Sequence, residues 1–201
     1  MTMTFSLHES IEPNSAFENM EIWTNNRTAG PVIPADDDHP LIREKLRIPI
    51  CAGLIERPRI MGLVKKSQAQ FPATLISGRA GTGKSAFAAA FAAQNKRVCW
   101  YSVESTDTEW DLFARYFSAS LLGKASADVY RASSGNGSME VTQNEIARFL
   151  VRNFSQTNDF PIGEPALIVL DDIHHIFDAP WFNQFFDLLL VLSTLGATGR
   201  A

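Results

Sequence analysis

The chain has 201 residues, 45% of them hydrophobic and 20% charged, a composition that suits one globular domain with a real core. Its 14 phenylalanines exclude disorder throughout, and no apolar run approaches the roughly 18 residues of a membrane span. The net charge of −4 divides unevenly: residues 1–40 hold seven acids and one base, the remainder 15 acids and 17 bases. The body therefore lacks the basic field that non-specific nucleic-acid binding needs. The longest apolar candidate, Phe185 to Leu195, is interrupted by Asp187 and Ser193. No basic stretch followed by an apolar core opens the chain, so no secretory signal is expected. Cys51 and Cys99 make neither a disulfide framework nor a four-ligand zinc site. The expected setting is soluble, reducing and cytoplasmic, with no membrane partner.

Residues 1–40 are polar and acidic, and they end in the turn-rich Gly30-Pro31-Val32-Ile33-Pro34 and an Asp triplet. They read as an acidic flexible N-terminal tail that the fold can do without. Residues 41–72 form an entry segment, and residues 73–201 a P-loop core. Ala73 to Ser77 is a short apolar run ending at glycine, a buried strand. Ser85 to Ala93 is alanine-rich, with Phe87 and Phe91 one turn apart, hence a helix packed closely on a sheet. Arg97 to Val103 is a second strand. Thr106 and Glu109 have capping-box spacing before a helix carrying Trp110, Phe113, Phe117 and Leu121. Gly123 to Ser138 is a polar loop. A second capping box, Thr142 and Glu145, has Val141 and Ile146 as its staple and opens a helix buried on Ile146, Phe149, Leu150 and Phe154. Ala166 to Leu170 is the most apolar strand, and a last helix starts at Pro180 and carries Trp181, Phe185 and Leu188 or Leu189. Strands alternating with helices define an α/β three-layer sandwich with a mainly parallel sheet.

Gly78-Arg79-Ala80-Gly81-Thr82-Gly83-Lys84-Ser85 matches G-x-x-x-x-G-K-[ST], with a strand before it and a helix after. Glycines let the backbone curl so that successive N–H groups point at phosphate oxygens, and the helix adds its positive end. Lys84 is expected to reach the β- and γ-phosphates, and Ser85 to ligate Mg²⁺. The binding set extends to Ala86. Asp171 and Asp172 directly follow the apolar strand, where a Walker-B carboxylate holds Mg²⁺. Asp171 takes that role, and Asp172 is placed to orient or deprotonate the attacking water, with helix capping as its plainer reading. Asp172 and Lys84 are the expected catalytic pair. His174 and His175 point in different directions and have no Cys or H-x-x-H partner, which favours a structural or nucleotide-sensing role over a metal site. Cys99 is expected to be a small buried hydrophobe. Glu104 either faces the nucleotide or is a surface turn residue.

Together these segments resemble the nucleotide-binding domain of large ATP-dependent LuxR-type transcriptional regulators, the maltose-regulon-activator group of STAND ATPases. The resemblance runs over roughly residues 46–192. It rests on Leu46-Arg47-Ile48-Pro49, Leu54-Ile55-Glu56-Arg57-Pro58-Arg59, the P-loop, Trp100-Tyr101-Ser102-Val103-Glu104 and Leu170-Asp171-Asp172-Ile173-His174-His175-Ile176. It implies ATP or ADP with Mg²⁺ as cofactors, Arg57 near the adenine and ribose, self-association controlled by nucleotide occupancy, and DNA contact only through a downstream domain. The P-loop departs from the family, having Arg-Ala-Gly-Thr where an aromatic residue often precedes the last glycine. In this class a strand after Walker B inserts between the P-loop and Walker-B strands and carries a γ-phosphate sensor. Only one helix and Gly196 to Ala201 follow Asp172, so the expected sheet is incomplete at the C-terminus, truncated before the sensor strand. The chain then reads as an N-terminal fragment or a truncated or frameshifted reading frame. On that reading the P-loop and Walker-B strands either pair directly or leave a gap, and hydrolysis is slow or absent. A stand-alone AAA+-like ATPase and a P-loop small-molecule kinase are the alternative functions.

Overall fold

The computed structural model describes residues 1–7, 41–51, 56–122, 142–156 and 166–195. Four strands form one sheet: β1 (Thr2–Leu7), β2 (Ala73–Ile76), β3 (Val98–Ser102) and β4 (Ala166–Asp171), in the order β2-β1-β4-β3. Among the described residues, five α-helices accompany them: α1 (Pro58–Gln70), α2 (Lys84–Ala92), α3 (Trp110–Leu122), α4 (Gln143–Gln156) and α5 (Phe182–Leu195). Each strand expected from the apolar runs is present, within about one residue at either end. Gly123 to Ser138, Val141, Leu54, Ile55 and Gly196 to Ala201 lie outside the described residues.

Alternation along the strands divides the core in two. Cys99 and Tyr101 of β3, Ile168 and Leu170 of β4 and Met3 of β1 face α3, α4 and α5. Trp100, Leu167 and Val169 point the other way, onto Val64 of α1 and Phe87, Ala88, Phe91 and Ala92 of α2. The result is a three-layer α/β sandwich. All six residues of β4 are buried, as a strand covered on both faces requires. On the first face, rings carry the packing. Phe113 and Trp181 lie 4.6 Å apart, and Phe117 meets Phe185 edge-on at 5.1 Å. On the second face, alanines at 88 and 92, fully buried, let α2 approach the sheet closely.

β3 and β4 are parallel, and β1 is antiparallel to both of its neighbours, so β2 runs in the same direction as β4. This corrects two expectations. The first residues of the chain are not tail: Thr2–Leu7 sit in the middle of the sheet, with Thr2 opposite Ile76 and Met3 opposite both Leu75 and Leu170. Neither direct pairing of the P-loop and Walker-B strands nor a gap occurs, because β1 fills the slot. The physical reason is twofold. Without a common neighbour, the facing edges of β2 and β4 would each leave a row of N–H and C=O groups unpaired. Residues 1–7 also alternate Met, Thr, Met, Thr, Phe, Ser, Leu, the period of a strand with one apolar face, and the acids of the N-terminal segment begin only at Glu9. Residues 8–40 lie outside the described residues.

Two capping assignments separate as well. Thr142 and Glu145 make the expected box: the Thr142 N–H donates to Glu145 Oε2 at 2.8 Å, and the Glu145 N–H to Thr142 Oγ1 at 3.3 Å. Thr106 and Glu109 do not. The box lies two residues earlier, between Glu104 and Asp107, and caps the 3₁₀ turn Ser105–Thr108. The expected last helix begins at Phe182, two residues after Pro180. An unforeseen helix, α1, has Pro58 in its first turn and buries Val64.

Met3 is the buried apolar anchor of β1, at 6% exposure. Met3→Ala is expected to lower unfolding stability by about 2–5 kcal/mol, the usual cost of truncating a core methionine. Urea denaturation checks this, and an unchanged midpoint would place residues 1–7 outside the sheet.

Candidate nucleotide site

The P-loop joins the C-terminal end of β2 to α2, and residues 78–82 are exposed. Gly81 and Gly83 have φ of 76° and 77°, a backbone that side chains resist. At Gly78 a Cβ would crowd Thr82 Oγ1 at 3.1 Å, so a side chain there needs Thr82 to shift by a few tenths of an ångström. The loop curls about one acceptor, the carbonyl of Arg79. It receives the Thr82 N–H at 3.3 Å, the Thr82 hydroxyl at 2.9 Å and the Lys84 ammonium at 3.2 Å. Lys84 is thus folded back across the loop. Ser85 and Ala86 continue into the first turn of α2, where the Phe87 N–H donates to the Gly83 carbonyl at 2.9 Å.

Arg57, at the start of α1, lies over the same loop. Its Nη1 donates to the Thr82 carbonyl at 3.0 Å, and Nη2 is 3.5 Å from where a Cβ on Gly83 would stand. The structure brings its guanidinium to the P-loop itself.

Asp171 ends β4, level with Ser102 of β3, and is 4% exposed. Its Oδ1 accepts the Thr2 hydroxyl and, at 3.1 Å, the Asp172 N–H. Asp172 turns the chain out of the sheet in the left-handed region, φ 52° and ψ 32°. That is a conformation aspartate tolerates better than most residues. Its half-exposed carboxylate takes the α-amino group of Met1 at 3.3 Å, and the same amino group lies 3.3 Å from His174 Nδ1. The His174 and His175 rings pack at 4.2 Å. Partial desolvation, the Met1 amino group and His175 hold the His174 pKa below the usual histidine value, against the pull of Asp172.

β2 and β4 run in parallel, so the P-loop and Asp171 leave the sheet at the same edge, with only β1 between them. The remaining sequence-selected residues have other places. Cys99 is buried in the core, and burial pushes its thiol pKa up to about 11. Glu104 is half-exposed and belongs to a charge cluster that sequence reasoning missed. Lys45 Nζ, in the 3₁₀ turn Arg43–Leu46, contacts Asp107 at 2.7 and 2.9 Å and Glu104 at 3.1 Å, over the Tyr116 ring. The cluster clamps the entry segment against β3. Lys45 and Asp107 are 62 positions apart, and nothing in either neighbourhood marks them as partners.

A phosphate-sized loop between a parallel strand and a helix, opening beside a buried carboxylate on another parallel strand, is the arrangement of a P-loop NTPase. The chain is an AAA-type P-loop ATP-binding domain. Residues 69–197 match the AAA domain family AAA_22, and the chain belongs to that family. It is also similar to the HTH-type transcriptional regulator MalT of Serratia proteamaculans (strain 568), 27% identical over 137 residues. That similarity covers 68% of this chain but only 15% of the regulator. No solved structure matches the chain. Among the described residues, no helix is long and apolar enough to cross a membrane.

The Lys45 cluster gives a pH-dependent prediction. Burial lowers the Lys45 pKa, but hydrogen bonds and charge from Asp107 and Glu104 outweigh it and raise the pKa above 10.5. A raised lysine pKa contributes stability that is complete below the unfolded value and is lost as pH climbs through the folded one. Lys45→Met leaves Asp107 buried without its counter-charge and is expected to cost about 3–5 kcal/mol at neutral pH. The gap between variant and wild type should close above pH 10.5, as followed by denaturant titration across pH.

Proposed function

We propose that this chain is the STAND-type ATP-binding domain of a signal-responsive LuxR-type transcriptional regulator, a switch set by whether ADP or ATP occupies it. The observation that carries the reading is the P-loop opening at the same sheet edge as Asp171 and Asp172. The similarity to MalT and the match of "R-P-R" and "D-D-x-H" segments support the regulator over a stand-alone AAA+ ATPase. The AAA family match favours the latter as second reading. Ring assembly with ATP would distinguish it, whereas the switch reading expects nucleotide-dependent self-association.

The donor set suits a magnesium nucleotide. Gly81 and Gly83 hold a curl without side chains, Ser85 supplies a hydroxyl at the helix start, and Asp171 supplies a hard carboxylate oxygen. In this reading Lys84 leaves the Arg79 carbonyl for the β- and γ-phosphates, and the N–H groups of Gly78 to Ala86 line the phosphate chain. Arg57 contacts the nucleotide on its ribose and adenine side. Ser85 and Asp171 hold Mg²⁺, which when bound neutralises phosphate charge. Asp172, half-exposed beyond Asp171, orients and deprotonates the attacking water. DNA contact and inducer sensing belong to other parts of a longer regulator.

Lys84→Ala is expected to weaken Mg·ATP binding at least ~10-fold, since a charge-assisted phosphate contact is worth about 1.5–3 kcal/mol. Calorimetric titration of folded protein tests it, and equal affinities would reject the reading. Asp172→Asn is expected to keep Mg·ATP affinity and to slow hydrolysis by about 100-fold or more, the range for a lost general base. A steady-state phosphate-release assay measures it, and undiminished turnover would remove Asp172 from the chemistry.

A further inference from the structure

β1 is antiparallel to β2 and β4, so its first residue, rather than its last, arrives at the edge where the P-loop and Asp171 emerge. That residue is Thr2, which is fully buried. Its hydroxyl donates to Asp171 Oδ1, the oxygen that also takes the Asp172 N–H. Both donors engage one oxygen, and Oδ2 accepts no hydrogen bond from a described residue. The carboxylate is therefore held in one orientation with one oxygen committed and the other available. β1 is itself fixed on this side. Thr4 Oγ1 donates to the Thr74 carbonyl at 3.4 Å and accepts from Gln68 Nε2 at 3.4 Å, and the Met1 carbonyl accepts the Ile173 N–H at 2.9 Å.

We propose that the N-terminal strand completes the nucleotide site, with Thr2 as the positioning residue that sets the Asp171 carboxylate for Mg²⁺. The inference rests on the nucleotide reading above and adds to it a residue from a segment outside the P-loop and Walker-B motifs. A group that hydrogen-bonds a metal-binding carboxylate fixes its rotamer, and losing such a partner typically costs 10–100-fold in metal affinity. Thr2 acts on the metal-dependent part of binding only, since the phosphate cradle is built by residues 78–86.

The test compares ATP titrations in Mg²⁺ and in EDTA for the full chain. Thr2→Val keeps shape and strand preference while removing the hydroxyl. It is expected to weaken ATP binding in Mg²⁺ by about 10-fold or more and to leave binding in EDTA unchanged. Thr2→Ser restores the hydroxyl and should restore the Mg²⁺ dependence. Thr4→Val, on the same face of the same strand but bonded to the Thr74 carbonyl, should bind as wild type in both buffers. Thr2→Ala removes the hydroxyl without a new methyl group and replaces Thr2→Val should the latter fail to fold. Wild-type Mg²⁺ dependence in the folded hydroxyl-free variant overturns the proposal, and so does an equal loss in both buffers, which would make Thr2 merely structural. Nucleotide binding absent from the wild-type chain in either buffer would remove the nucleotide reading along with it.

Discussion

The pairing of β1 with both of its neighbours is the constraint on which the rest of this domain depends. β2 carries the P-loop and β4 carries Asp171, and the facing edges of both strands need partners. One strand between them sets their separation at two sheet spacings, about 9–10 Å. It also carries Met3 into the aromatic face of the core while turning Thr2 and Thr4 toward the P-loop side. Neighbouring residues thus serve opposite faces: Met3 packs in the aromatic core, and the Thr2 hydroxyl reaches Asp171.

Around that strand, each layer has its own device. The α3–α5 side is held by large rings, with the Trp181 indole also donating to the Thr108 carbonyl at 2.8 Å. The α1–α2 side uses small residues, so that α2 and the P-loop before it sit close to the sheet. At the far edge, β3 is covered by the turn that carries Lys45. A buried lysine and a fully buried aspartate offset each other's desolvation only with direct contact, and both Asp107 oxygens lie within 2.9 Å of the ammonium. Asp107 also accepts the Glu104 N–H at 2.8 Å, so the same carboxylate caps the turn and anchors the entry segment.

Much of this was legible in the sequence, for a local reason. β2, β3 and β4 are apolar runs bounded by turn residues, and α2 is an alanine helix after a glycine loop, so their signals lie inside a few residues. The P-loop and the aspartate pair likewise announce themselves by type and spacing. β1 is faint in the sequence because its alternation is only six residues long and the acids that follow from Glu9 give the whole segment a polar composition. Thr2 was hidden with it: a threonine becomes a partner of Asp171 only through a pairing across 169 positions. Glu104–Asp107 and Thr106–Glu109 share the same spacing, and the 3₁₀ turn before α3 decides for the former.

In the proposed switch, the P-loop can be reset at low cost. Among the described residues, Lys84 rests on the Arg79 carbonyl, a neutral acceptor in an exposed loop. Exchanging that contact for a phosphate oxygen gives the ammonium an anionic partner in place of a neutral carbonyl, adding charge attraction to the hydrogen bond. Arg57 likewise rests on a neutral acceptor, the Thr82 carbonyl. Arg57 caps α1, and α1 packs through Val64 onto the face it shares with α2. In the proposed reading, a nucleotide arriving at the loop meets two cations, Lys84 at its phosphates and Arg57, at the head of a separate helix, on its ribose and adenine side. In the proposed switch, drawing Arg57 from Thr82 toward the nucleotide shifts the start of α1 relative to the P-loop. Nucleotide occupancy would thereby shift the start of α1, while the Lys45–Asp107 pair keeps the beginning of the entry segment on β3.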